Sequence, residues 1–106
     1  MSLFDENASV LKQRAENGAD LSRPRSVNFE HIFRNEASAQ TFADTATLAG
    51  FSVQVRAVER LEWPWDVTAS KQLDLTCENI SAVELQLKAM AETYGGNSDG
   101  WGFLED

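Results

Sequence analysis

Cys77 and His31 are the two side chains in this 106-residue chain from which covalent catalysis could start. A thiol at the start of a helix can have a lowered pKa, and a nearby imidazole could serve as its general base. However, His31 alternates with Phe29 and Phe33 along a predicted strand, which favours a packed core residue. One cysteine and one histidine also fall short of a typical metal site. We therefore predict no enzymatic activity, no metal and no cofactor.

Phosphate binding is a second chemistry that the sequence offers, because Arg23 and Arg25 flank Pro24 on a predicted connector. Together with the exposed face of a sheet and its strand aromatics, these cations favour an RNA- or small-ligand-binding module. The formal net charge of −8 opposes this interpretation, as does the lack of the glycine-rich aromatic strand signature of RNA-recognition modules. Pairing of both arginines with nearby acids is the simpler alternative.

Acidic residues are concentrated in the C-terminal third of the chain. Residues 72–106 contain seven acids and one base, a difference of −6. Within this part, Glu84, Lys88 and Glu92 are spaced to form a charged row on the outside of a helix. Such a surface repels phosphate backbones and favours either simple solvation or a basic protein partner. We expect no direct contact with nucleic acid.

The composition predicts one globular domain over residues 1–106, because 42% of the residues are hydrophobic and the chain is too short for two cores. A single cysteine excludes an internal disulfide, and the segment from Met1 to Glu6 lacks the features of a secretory signal. No stretch approaches the ~20 apolar residues that a membrane span requires. The expected location is the cytoplasm.

Hydrophobic periodicity predicts three helices and four strands. They are a helix from about Asp5 to Glu16, a strand from Val27 to Arg34, a helix from the N-cap Asn35 to Gly50, a strand from Phe51 to Ala57, a strand from Trp65 to Ser70, a helix capped by Thr76 and ending near Tyr94, and a strand around Gly100 to Glu105. After the first helix this is the β-α-β-β-α-β order of a ferredoxin-like α+β fold, with helices on one side of an antiparallel sheet.

Tryptophans supply the most specific candidates for binding. Trp63 and Trp65 straddle Pro64 in a connection predicted to face solvent, where a partner contact is as reasonable as packing. Trp101 lies in the run 95–102, which is rich in glycine, and is expected to anchor the last strand, with Asp99 forming a turn or bulge before it. A role of Trp101 at an interface is the alternative.

Several of these segments together resemble one protein family. The segment 16–27, with the letters ENGADLSRPRSV, then His31 and Phe33, and finally Gly95-Gly96 with the segment 99–102, are similar to the signature of the regulator of ribonuclease E activity B (RraB) family. The segment from Trp65 to Thr76 adds to the likeness, which covers about Asn7 to Glu105. Each piece alone is weak, but the combination is fairly specific.

The resemblance implies a ferredoxin-like α+β domain without enzymatic activity. The best-known member binds the non-catalytic scaffold region of ribonuclease E and restrains RNA decay, so an inhibitor or adaptor is implied here. That member continues into an acidic tail, whereas this sequence stops at Asp106, so no tail-dependent contact is expected. The candidate protein-binding residues are Trp63, Trp65, Asp99, Trp101, Glu84 and Glu92.

Overall fold

A computed structural model describes residues 3–16 and 24–103. Within these ranges the elements are α1 (Leu3–Glu16), β1 (Arg25–Phe33), α2 (Glu36–Leu48), β2 (Ser52–Ala57), β3 (Trp65–Leu73), α3 (Cys77–Thr93) and β4 (Asn97–Phe103). The predicted order of elements is confirmed. The predicted Asn17-Gly18 helix stop, Arg23 and Glu105 lie outside the described residues.

The four strands form one antiparallel sheet in the order β2-β3-β1-β4. The central pair, β1 and β3, is in continuous register from Arg25 opposite Leu73 to Phe33 opposite Trp65. β3 runs three residues further than predicted, to Leu73, because Arg25 already pairs with it at the start of β1. The two edges of the sheet are therefore β2 and β4.

Alternation along β1 places its aromatic face in the core, as predicted. Val27, Phe29 and Phe33 are fully or almost fully buried, and the Phe33 ring centroid lies 5.1 Å from that of Phe42 in α2. Alanines on α2 let this helix lie close to the sheet. Among the described residues, one hydrophobic cluster forms the core: Leu11, Val27, Phe29, Phe33, Ala39, Phe42, Ala43, Ala46, Phe51, Val67, Ala69, Leu75, Ile80, Leu87 and Ala91.

Both helices that pack on the sheet begin at the predicted caps. The Asn35 side-chain oxygen accepts a hydrogen bond from the Ser38 backbone N–H at 2.8 Å. The Thr76 hydroxyl accepts one from the Asn79 N–H at 3.1 Å. Each cap satisfies a donor that the first turn of a helix leaves unpaired.

The path from α3 into β4 depends on a close approach of the backbone to an aromatic ring. Gly96 is buried, and a Cβ atom at this position would lie 2.3 Å from the ring of Phe33.

β4 begins at Asn97, earlier than predicted, because Asp99 and Gly100 form a bulge opposite β1 within the strand. Gly100 has a φ of +98°, the left-handed conformation that such a bulge uses. The predicted bulge is confirmed, but the predicted start of the strand is wrong.

Candidate protein-binding surface

The β2–β3 loop, residues 58–64, has a shape fixed by hydrogen bonds at its base. The Val58 N–H donates to the Pro64 carbonyl oxygen at 2.8 Å, which closes the loop. The Arg60 Nε donates to the Trp63 carbonyl oxygen at 2.7 Å, and its guanidinium pairs with Asp66 of β3. These contacts hold the backbone without using the side chain at the tip.

Trp63 is held against the end of β1. The guanidinium carbon of Arg34 lies 4.4 Å from the centroid of the Trp63 ring, a cation–π contact. The Trp63 side chain is half-buried, so part of its surface remains available to a partner. The expectation that it faces solvent is correct in part.

Leu61 stands at the tip of the same loop with a fully exposed side chain, at 101% of its reference area. A single exposed leucine is ordinary on a protein surface. Leu61 differs because its backbone is fixed while its side chain contributes nothing to the core. The surrounding residues Glu59, Arg60 and Glu62 are also exposed. Sequence reasoning missed Leu61, and the only signal was one apolar residue inside the charged run 59–62.

Trp65 and Trp63 have different environments in the structure. It begins β3 and shares a sheet face with Val67 and Ala69, which are completely buried. Its partner across β1 is Phe33, and its half-buried ring packs against the core. Trp65 therefore closes one end of the core, while Trp63 belongs to the loop.

Trp101 is joined to two helices through Asn7 of α1. The indole Nε1 donates to the Asn7 side-chain oxygen at 2.8 Å. The Asn7 amide nitrogen donates to Ser81 Oγ and to Glu84 Oε1, both at 3.0 Å. Asn7 is only 2% exposed, and three of its hydrogen bonds connect α1, α3 and β4. We refer to Asn7, Ser81, Glu84 and Trp101 as the Asn7 cluster.

The position of Glu84 corrects a prediction. Its side chain is 8% exposed, because α1 packs on this face of α3 and supplies the Asn7 amide. The predicted outer row is therefore wrong for Glu84, whereas Lys88 and Glu92 are exposed as expected. Asp99 is also exposed, in the β4 bulge. The role of these residues in binding stays a prediction.

His31 is a core residue, as its strand position predicted. It is 2% exposed, and its ring centroid lies 4.7 Å from that of Phe42. Burial lowers the pKa of His31 to about 4, although backbone hydrogen bonds at Phe29 and Val67 oppose the shift. The imidazole is therefore uncharged at neutral pH and is buried beside the ring of Phe42.

Cys77 lies at the first position of α3 and is half-buried, with its sulfur 3.7 Å from Ser81 Oγ. Among the described residues there is no group of His, Cys, Asp and Glu that could hold a metal ion. None of the described helices is long and apolar enough to cross a membrane.

The sheet face opposite the core is polar. Thr68 donates to Glu30 at 2.6 Å and Ser70 donates to Asn28 at 2.7 Å, across β3 and β1. A groove of about 590 Å³ lies at one end of the sheet, and Arg25 is among its lining residues. The aromatic side chains described on the strands lie on the core face, so this part of the structure offers bases no stacking platform. The aromatic part of the RNA-binding alternative thereby loses its support.

The sequence model of the RraB family, described as Regulator of ribonuclease activity B, matches residues 4–103. This confirms the resemblance over nearly the whole chain. None of the curated proteins compared with the chain is significantly similar to it.

Proposed function

Because the chain belongs to the regulator of ribonuclease activity B family, we propose that it binds a ribonuclease and inhibits it, with ribonuclease E as the target. In this proposal the chain makes and breaks no bonds itself. The buried, neutral His31 and the contact of Cys77 with Ser81 favour structural roles for both groups. Regulation then operates through occupancy of a surface on the ribonuclease.

The proposal includes a ferredoxin-like plan for residues 1–106 as a single domain. Support comes from the β-α-β-β-α-β order after α1 and from the sheet order, which is β4-β1-β3-β2 when read from the other edge. In such a sheet the loop between β2 and β3 is a hairpin connection at one end. Binding at this loop would leave the core undisturbed.

We choose this surface because Leu61 is fully exposed on a loop whose backbone is held by hydrogen bonds. An apolar side chain on a backbone that is already ordered loses little conformational entropy when it enters a pocket on a partner. Half-buried Trp63 adds aromatic surface beside it, and aromatic residues are enriched among energetically dominant contacts. We refer to Leu61 and Trp63 as the loop contact.

The charge around the loop contact indicates the chemistry of the partner surface. Exposed Glu62 follows Leu61 and exposed Glu59 lies two residues before it, the intervening Arg60 is paired with Asp66, and the chain as a whole carries −8. An apolar pocket surrounded by lysine and arginine is the complementary surface. Charge complementarity of this kind speeds association and sets orientation more than it adds affinity. Binding should therefore weaken as the salt concentration rises.

Leu61→Ala tests the surface, and Leu85→Ala is the matched control. Leu85 is an exposed leucine of α3, at 53% of its reference area, so both variants remove the same atoms from the surface. Affinity for purified ribonuclease E is measured by titration calorimetry or surface plasmon resonance at low and moderate salt. We expect Leu61→Ala to weaken binding by about tenfold, or about 1.4 kcal/mol, and Leu85→Ala to leave it unchanged.

Two results would count against the proposal at different levels. If the unaltered chain does not bind ribonuclease E even at low salt, the assigned target is wrong. If it binds but Leu61→Ala and Leu85→Ala behave alike, the target stands and the loop is the wrong surface. The comparison requires that the two variants have equal melting temperatures. We expect this because Leu61 is fully exposed.

A further inference from the structure

β2 is an edge strand without the usual protection against pairing. All six of its residues pair with β3 in continuous register, and no second strand among the described residues pairs with its other side. The strand contains no proline, no bulge and one charged side chain, Arg56. Its outer edge therefore presents regularly spaced backbone N–H and C=O groups that another strand can use.

The opposite edge of the sheet is protected. β4 contains the bulge at Asp99 and Gly100, and the exposed Asp99 carboxylate lies in it. α1 is also fixed beside β4 through the hydrogen bond from Trp101 to Asn7. Bulges and charges are the devices by which sheet edges avoid further pairing. β2 has no bulge, and its one charge, Arg56, lies near its end, so the two edges differ in their capacity to accept a strand.

The sequence of β2 is complementary to itself in one antiparallel register. If Gln54 lies opposite Gln54 of a second copy, Val53 faces Val55, and Ser52 faces Arg56. Every residue from 52 to 56 then has a partner on the same face of the sheet, as a two-fold axis perpendicular to the sheet requires. The valines share the core side, where both are half-buried. No like charges are opposed, since the strand has one charge.

We propose that two copies of this chain associate through antiparallel pairing of their β2 strands, with the two-fold axis at Gln54, to form a continuous eight-stranded sheet. The interface is small, because it consists of one six-residue strand from each copy and the side chains beside it. An interface of this size gives a weak dimer that dissociates on dilution. The loop contact follows the end of β2, so it lies beyond the paired strands and stays exposed in such a dimer.

Disulfide trapping tests the register directly. In a Cys77→Ser background, Gln54→Cys places two thiols opposite each other at the two-fold axis. Directly opposed Cβ atoms in an antiparallel pair are about 4.5–5.5 Å apart, close to the range that a disulfide spans. Gln72→Cys in the same background is the control, because Gln72 is exposed on the same sheet face but lies on β3, outside the stretch that pairs with β2 and away from the proposed axis. Mild oxidation should give a covalent dimer with Gln54→Cys and at least tenfold less with Gln72→Cys.

Sedimentation equilibrium of the full chain is the second test of the proposed dimer. The unaltered chain and Gln72→Lys should show the same monomer–dimer equilibrium, whereas Gln54→Lys should be monomeric, because two lysines would face each other at the axis. Equal oxidation of the two cysteine variants, or a chain that is monomeric at millimolar concentration, would overturn the proposal. A monomeric chain whose Gln54→Lys variant loses ribonuclease binding would also overturn it, and would assign the β2 edge to a strand of the ribonuclease.

Discussion

Acid should destabilise this protein through the buried side chain of His31. The imidazole is buried beside Phe42, and burial lowers its pKa from 6.5 to about 4. The unfolded chain therefore binds the proton more tightly than the folded chain does. As the pH falls from about 6.5 towards about 4, the free energy of unfolding falls, and the loss levels off below the folded pKa.

The magnitude follows from the two pKa values. At pH 5.0 the imidazole is almost fully protonated in the unfolded chain but mostly neutral in the folded chain. Each pKa unit corresponds to about 1.4 kcal/mol, so His31 alone should lower the free energy of unfolding by about 2 kcal/mol between pH 7.5 and pH 5.0. This is a large share of the stability of a small domain, which is about 5–15 kcal/mol.

Urea unfolding at the two pH values measures the effect, with tryptophan fluorescence and far-ultraviolet circular dichroism as probes. His31→Phe is the matched variant, because it keeps a planar ring beside Phe42 and cannot titrate. Any packing cost of the larger ring is present at both pH values and cancels in the difference. We expect the pH-dependent loss to be about 2 kcal/mol smaller in His31→Phe than in the unaltered chain. Equal losses in the two proteins would refute the assignment to His31.

Three further substitutions test the packing around the site. Gly96→Ala should lower the free energy of unfolding in urea by about 1–3 kcal/mol, because its Cβ would overlap an aromatic ring of β1. Gly102→Ala is the control and should lower it clearly less, because its Cβ meets nothing within 4 Å. Equal losses in the two variants would contradict the contact at Gly96. Asn7→Ala should cost about 1–3 kcal/mol because it removes one hydrogen bond each from Ser81, Glu84 and Trp101, and the first two are buried. Ser9→Ala, at an exposed position of the same helix, should lie within about 0.5 kcal/mol of the unaltered chain. Trp65→Ala should lower the melting temperature and the affinity for the ribonuclease together, since its ring packs on the core; a selective loss of affinity would place Trp65 in the interface instead.

Local signals in the sequence were sufficient for most of the fold. Asn35 and Thr76 are caps because their side-chain oxygens reach backbone donors three residues away, a geometry that depends on nothing distant. Strict alternation in β1 identified its buried face, because a two-residue period leaves only two choices. The bulge at Asp99 and Gly100 was also signalled locally, by a glycine that can take a positive φ.

The errors have a common cause in long-range packing. Glu84 belongs to a row of charges by sequence, yet α1 covers it, and the hydrogen bond from Asn7 joins residues 77 positions apart. No pattern within α3 reports which other helix will dock on it. Trp65 begins β3 as predicted, but the packing of its ring against the core depends on the register with Phe33 of β1, which the connection's own sequence does not report.

Leu61 shows a different limit. Its exposure depends on the hydrogen bonds that close the β2–β3 loop, and those involve a carbonyl oxygen and a guanidinium that the sequence does not orient. A lone leucine between charged residues predicts neither burial nor exposure. The loop contact therefore became visible only with the backbone in place.

The rate of RNA cleavage by purified ribonuclease E, measured while the concentration of this chain is raised, tests the central claim most directly. A saturable fall in the rate, with no cleavage of RNA by the chain alone, is the result that the proposed inhibitor predicts. A cleavage rate that stays constant up to concentrations far above that of the ribonuclease, at low and moderate salt, would contradict it.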